Sequence, residues 1–153
     1  MTIERVNPAG LAKPSGFSHA VVTSGGRLVF LAGQTAIDGS GAIVGRNVAE
    51  QFEVALGNLL TALVAAGGRP DQLASLTIYT TNLTDYRRHA RELGEVWRRL
   101  VGTQYPAMAA VGVNCLWDKA AVAVTLLRFD TAKARQISAV PFCALVQIGR
   151  AHV

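Results

Sequence analysis

The chain has 153 residues, 50 % of them apolar and 16 % charged, with a formal net charge of +5. This balance excludes a disordered or low-complexity chain and suffices for one domain with its own core. No apolar run is expected to be both long enough and free enough of charge to cross a bilayer. The start, Met1-Thr2-Ile3-Glu4-Arg5, lacks the basic and apolar regions of a secretory signal, so a cytoplasmic location is expected.

Residues 1–17 read as an irregular lead-in broken by Pro8, Gly10, Pro14 and Gly16. Two strand-like runs follow, at 20–22 and 27–32, with the hairpin chemistry of Ser24-Gly25-Gly26 between them. Gly33-Gln34 ends the second run, and residues 38–46 read as a loop rich in glycine. Asn47 is expected to cap a first helix, with Glu50 completing a capping box. Val48, Phe52, Leu56, Leu59, Leu60 and Leu63 form its apolar stripe, and Gly67-Gly68 closes it before Pro70.

Residues 73–81 read as a strand, with Leu76, Ile78 and Thr80 on one face. Thr84 or Asp85 is expected to cap a second helix with the stripe Tyr86, Ala90, Leu93, Val96, Trp97 and Leu100, ended by Gly102. Pro106 then opens an extended stretch. Two last strands are expected at 107–113 and 121–127, joined through 114–120. The order ββαβαββ implies an α+β fold, a sheet with two helices on one face. Both faces of the last two strands are apolar: Met108, Ala110 and Gly112 on one side, Ala109, Val111 and Val113 on the other. Helices can cover only one face, so the other is expected to meet another copy of the chain. The domain is placed at 1–130. Residues 131–153 read as an irregular tail, whose last seven, 147–153, resemble a translated sequencing-adapter read-through and are excluded from functional argument.

Cys115 and Cys143 have no metal-ligand spacing to the three histidines. Cys115 reads as a small packing residue, and His19 and His89 as surface residues without partners. Much of the positive charge falls on Arg87, Arg88, Arg91, Arg98 and Arg99. With no aromatic–basic recognition motif beside them, these are read as a solvated helix face rather than a nucleic-acid site.

Several segments, in order from about residue 6 to 128, resemble one family. Pro14-Ser15-Gly16-Phe17-Ser18-His19-Ala20-Val21 is similar to the Gly-Pro-Tyr-Ser-Gln-Ala-Val signature of the RidA/YjgF proteins. Val29-Phe30-Leu31-Ala32-Gly33-Gln34 resembles their Val-Phe-x-Ser-Gly-Gln strand. Asn58-Leu59-Leu60 to Ala65-Ala66-Gly67 resembles a helix end of the family, and Tyr105-Pro106-Ala107 the approach to its active-site strand. The resemblance implies a chorismate-mutase-like fold and a homotrimer with ligand pockets in the clefts between subunits. It also implies hydrolysis of reactive enamines and imines derived from amino acids, releasing ammonia, with no metal or organic cofactor.

In those deaminases an Arg directly after Pro-Ala binds the substrate carboxylate through parallel hydrogen bonds. A Glu on the last strand handles a proton or the attacking water. Here the matching positions are Met108 and Thr125. The family's pocket Tyr falls on Phe17, its strand Ser on Ala32, and its helix Asn near Ala90. Each change removes polarity. No register restores the acid, since no Glu or Asp lies between Ala120 and Phe129. Glu4 and Asp118 are the remaining carboxylates to consider near the cleft.

The expected ligand-binding set is therefore Phe17, Ala32, Gly33, Met108, Ala110 and Thr125, with no catalytic residue assigned. The leading expectation is a trimeric protein with a subunit-interface pocket for a small, rather apolar metabolite, to which the standard deaminase reaction does not carry over. The alternatives are a hydrolase of a different enamine or imine, and an RNA-binding or RNA-cleaving relative using the arginine segment. Neither a membrane nor a nucleic-acid partner is favoured.

Overall fold

The computed structural model describes residues 2–117 and 119–130, with side chains as far as Val124. Asp118, the tail 131–153 with Cys143, and the segment 147–153 lie outside the described residues. The elements are β1 (Thr2–Val6), β2 (Ala20–Ser24), β3 (Arg27–Thr35), α1 (Val48–Ala65), β4 (Leu73–Thr80), α2 (Leu83–Arg88), α3 (Ala90–Leu100), β5 (Ala107–Gly112) and β6 (Val122–Asp130), with a short 3-10 turn at Pro70–Gln72. The architecture is α+β: β3-β6-β4-β5 form a mixed sheet, and β1-β2 form a separate two-stranded one.

Three details depart from the sequence expectation, and the strand order adds a fourth that the sequence does not state. The lead-in contains a strand, β1, paired antiparallel to β2 from Thr2↔Ser24 to Val6↔Ala20. Its five residues alternate only between exposed and half-buried, too faint a pattern to read beside the breakers that follow. The turn at Gly25-Gly26 holds both residues at positive φ (70° and 90°). However, the strands it joins enter different sheets: β2 pairs with β1, and β3 with β6. The second helix is two helices. His89, at φ −91° and ψ 14°, breaks the helical geometry between α2 and α3, and the cap of α2 is Asn82, whose Oδ1 accepts from the Asp85 amide at 2.9 Å. Finally, β5 and β6 are not neighbours. They flank β4, with β5 parallel and β6 antiparallel to it.

The capping box of α1 forms as its sequence dictates. The Glu50 amide donates to Asn47 Oδ1 at 2.9 Å, and Glu50 Oε2 accepts from the Arg46 amide at 2.8 Å. Gly67, at φ 85°, ends the helix in the left-handed region, and the Gly68 amide returns to the Leu63 carbonyl. By length and composition alone α1 could cross a membrane, a test that the core helix of a folded domain also passes. Its apolar stripe instead builds the core: Phe52, Leu56, Leu59 and Leu63 are buried together with Leu76 and Ile78 of β4 and Val122 and Val124 of β6.

Parity along the strands then defines a second sheet face away from α1. Leu76, Ile78 and Met108 turn toward the core, while Phe30 on β3 and Val111 on β5 are exposed at 70 % and 39 %. No helix covers that face among the described residues.

Candidate functional site

The site is organised by one carbonyl. Tyr105 O, just before Pro106, accepts from Ser18 Oγ at 2.7 Å and from Arg5 Nε at 3.1 Å. The Ser18 amide donates to Pro106 O at 2.9 Å, and Ser18 bridges in parallel to Ala107. Ser18 is buried, so these bonds work away from water. Burial lowers the pKa of the Arg5 guanidinium while Asp71 opposes the shift, and Arg5 Nη2 also reaches the Asp71 carbonyl at 3.2 Å. Thus β1, absent from the sequence reading, fastens the start of β5.

This fastening brings Phe17 beside Met108. The two line a cleft of about 310 Å³ with His19 and Ala109, floored by Leu76 and Thr77 of β4. Phe17 meets the His19 ring edge-on at 5.1 Å, and His19 Nε2 lies 2.8 Å from the Ala12 carbonyl, so His19 is partnered rather than free. His89 is partnered too, its Nδ1 3.0 Å from the Asp85 carbonyl. Cys115, by contrast, is exposed beyond β5 and is not a packing residue.

Met108 is half-buried against the core and also borders a second cavity, of about 350 Å³, beneath α3. Ala90 lines this second cavity, together with Tyr86, Trp97, Arg98 and Tyr105. Among the described residues no Asp or Glu lines either cavity. Burial pushes the Tyr86 phenol up to about 12, so it stays neutral and can only donate or accept a hydrogen bond. Glu4 is exposed on β1 and reaches neither cavity. Among the described residues no group of His, Cys, Asp and Glu could hold a metal ion.

The remaining expected residues are not brought to Met108 within one chain. Ala32 and Gly33 fall in an irregularity of β3 between Leu31 and Gln34, inside the strand rather than at its end. β3 and β5 are the two edges of the sheet, three strand spacings or about 14 Å apart. Ala110 is exposed on β5 and lines neither cavity. Thr125 pairs in register with Thr77, on the strand next to the cleft floor; its side chain lies outside the described residues.

The arginine segment is largely committed. Arg91 pairs with Glu95 at 3.0 Å, Arg99 with Glu53 at 2.8 Å, and Arg88 approaches Asp85 at 4.0 Å. Sequence reasoning placed Arg98 on the same solvated face and Tyr86 and Trp97 in a core stripe. The signal that separates them is the four-residue spacing of Ala90, Gly94 and Arg98, which puts two small residues and a cation on one ridge.

A family model described as Endoribonuclease L-PSP matches residues 9–127. A RutC family protein of Pyrococcus abyssi is 32 % identical over 106 residues, covering 68 % of this chain and 79 % of its own length. Among solved structures, a Yersinia pestis protein of unknown function from the conserved Rid family superposes with a TM-score of 0.75 at 27 % identity, over 84 % of this chain and 99 % of that one. A putative endoribonuclease of Thermotoga maritima gives 0.61 at 25 % identity, over 82 % and 93 %.

Proposed function

The chain belongs to the Endoribonuclease L-PSP family, the RidA/YjgF proteins, and on that premise we propose a homotrimer whose pocket beside Met108 binds a small, rather apolar metabolite without the 2-imino acid deaminase reaction. The observation that carries this reading is Met108 itself. It stands where the deaminases have their Arg, between two cavities that no described carboxylate lines. A thioether offers no bidentate donor to a carboxylate and suits apolar surface instead.

Two observations favour assembly. Ala32 and Gly33 sit at the opposite sheet edge from Met108, so the full set of family positions meets only if one copy's β3 approaches another copy's β5. The uncovered sheet face also exposes Phe30 and Val111, which a second copy would bury. The proposed unit is residues 1–130, acting in the cytoplasm.

The family's description points to RNA cleavage. The arginine segment does not favour it here, because three of its five cations already have carboxylates within 4.0 Å.

Sedimentation mass, together with a crystal structure soaked in 2-oxobutanoate and longer apolar acids, tests the proposal. A trimer with ligand density beside Met108 is expected. Hydrolysis of 2-iminobutanoate well above background by the purified protein would overturn it.

A further inference from the structure

The second cavity is built by one chain alone, and its volume of about 350 Å³ lies within the range of about 300–1,000 Å³ usual for small-ligand sites. One wall is aromatic. The Trp97 and Tyr105 rings stack with centroids 5.5 Å apart and 16° between planes. Trp97 Nε1 is already spent on the Gln104 carbonyl at 3.2 Å, so the indole offers the cavity only its apolar surface. Met108 adds a soft, adaptable neighbour.

The lining also includes the ridge Ala90, Gly94 and Arg98 of α3. A glycine inside a helix is unfavourable by itself. A Cβ built on Gly94 would meet nothing nearer than Arg98 Nη1, at 3.9 Å, so the space is open and the guanidinium lies along it. Its neighbours Arg91 and Arg99 are bound to Glu95 and Glu53. Arg98 makes no ion pair among the described residues. The Tyr86 hydroxyl, also on the lining, makes no hydrogen bond among them either.

We propose that this cavity binds a small monocarboxylic acid with an aromatic or branched apolar body, the carboxylate paired with Arg98 and the body packed on Trp97, Tyr105 and Met108. A planar guanidinium matches a carboxylate with two parallel donors. One uncommitted cation beside aromatic walls fits a single negative charge better than a phosphate dianion. Acid recognition has thereby moved from the β5 position, now Met108, to α3. The inference rests on the reading of a small-molecule pocket beside Met108 and names its ligand class.

Isothermal titration of the full chain with phenylacetate, against phenylacetamide as its uncharged counterpart, tests it. Phenylacetate should bind saturably and about tenfold more tightly than the amide, the scale of one charge-assisted hydrogen bond. Arg98→Gln should bring the acid to the level of the amide. Arg98 is exposed, so this variant should keep its circular dichroism and melting point. Gly94→Leu, which fills the cavity with a better helix former, should weaken both ligands while melting no lower. Equal binding of acid and amide, unchanged in Arg98→Gln, would overturn acid recognition and leave the apolar pocket standing. Saturable binding of neither would overturn both.

Discussion

The Ser18 hydroxyl donates to the Tyr105 carbonyl at 2.7 Å, joining two segments 87 residues apart. Phe17 and Met108 share a cleft because this bond, with the Ser18 amide to Pro106 O, sets the segment before β2 against the start of β5. The first two family-like motifs to meet in space are thus held by side chain to backbone, not by packing alone.

Ser18→Ala should cost about 1 kcal/mol of unfolding free energy, near the lower end for a buried hydrogen bond, because Arg5 Nε still satisfies the Tyr105 carbonyl. Combining it with Arg5→Met strips both donors. The pair should then lose more than the sum of the single changes. Urea denaturation of the four proteins measures this, and strict additivity would show that the carbonyl does not couple them.

Asn58, carried by the helix motif that resembles the family, also has a structural task. Its Nδ2 donates to Thr35 O at 3.1 Å and Ile37 O at 2.8 Å, tying α1 to the end of β3. Asn58→Ala should destabilise by about 1–3 kcal/mol. Asn58→Asp should be worse near neutral pH, because a carboxylate placed against two carbonyls has nothing to donate. The gap between the two variants should narrow as the pH falls and the acid protonates, which thermal melts across pH would record.

Acid and alkali should act through different groups. The Asp38 carboxyl is held below its usual range by the Ser40 hydroxyl and by the Ala42 and Ser40 amides, and Glu50 and Glu53 are lowered by Arg46 and Arg99. Groups with depressed folded pKa values contribute stability above their unfolded pKa and lose it as pH falls through the folded one. Melting temperature should therefore drop as pH falls below about 4. Asp38→Asn should flatten part of that drop. Tyr86 has the opposite sign: raised to about 12 from 10.0, it contributes stability that is complete below pH 10.0 and is lost as pH rises toward 12. Tyr86→Phe should remove that alkaline loss.

How much of this was legible in the sequence follows from where each signal lives. Asn47 with Glu50, and Gly67 at positive φ, are local chemistry and read correctly. The core stripe of α1 is periodic and read correctly too. Strand neighbours are not local. Nothing in Ala107–Gly112 or Val122–Asp130 states that β4 separates them, and a parallel partner leaves no turn signature between the strands. The break at His89 was hidden because the apolar stripe continues in phase from Tyr86 through Ala90 to Leu93 across it. Of the expected site, Phe17 and Met108 meet because both adjoin the Tyr105–Pro106 anchor. Ala32 and Gly33 do not, because a sheet edge is assigned by topology rather than by composition.

The last expectation concerns the pair that the family resemblance singles out. If the scaffold lacks the usual reaction only because Met108 and Thr125 are neutral, then restoring the charges should restore some chemistry. Met108→Arg places a guanidinium in the cleft beside Phe17, where it can take a substrate carboxylate. Thr125→Glu changes the β6 position in register with Thr77, whereas Met108 is in register with Leu76, so the two charges occupy positions of opposite parity and meet only where subunits join. The double variant should hydrolyse 2-iminobutanoate above the wild-type rate, and Thr125→Glu alone should gain less, since a base without a positioned substrate has nothing to act on. A general base contributes about 10²–10⁴-fold, which sets the ceiling for the gain. Met108→Arg alone should tighten 2-oxobutanoate without raising turnover. Rates and affinities measured separately on the three variants distinguish positioning from proton transfer. A double variant that folds, trimerises, binds 2-oxobutanoate and still does not turn over would show that the scaffold has lost more than its two charges.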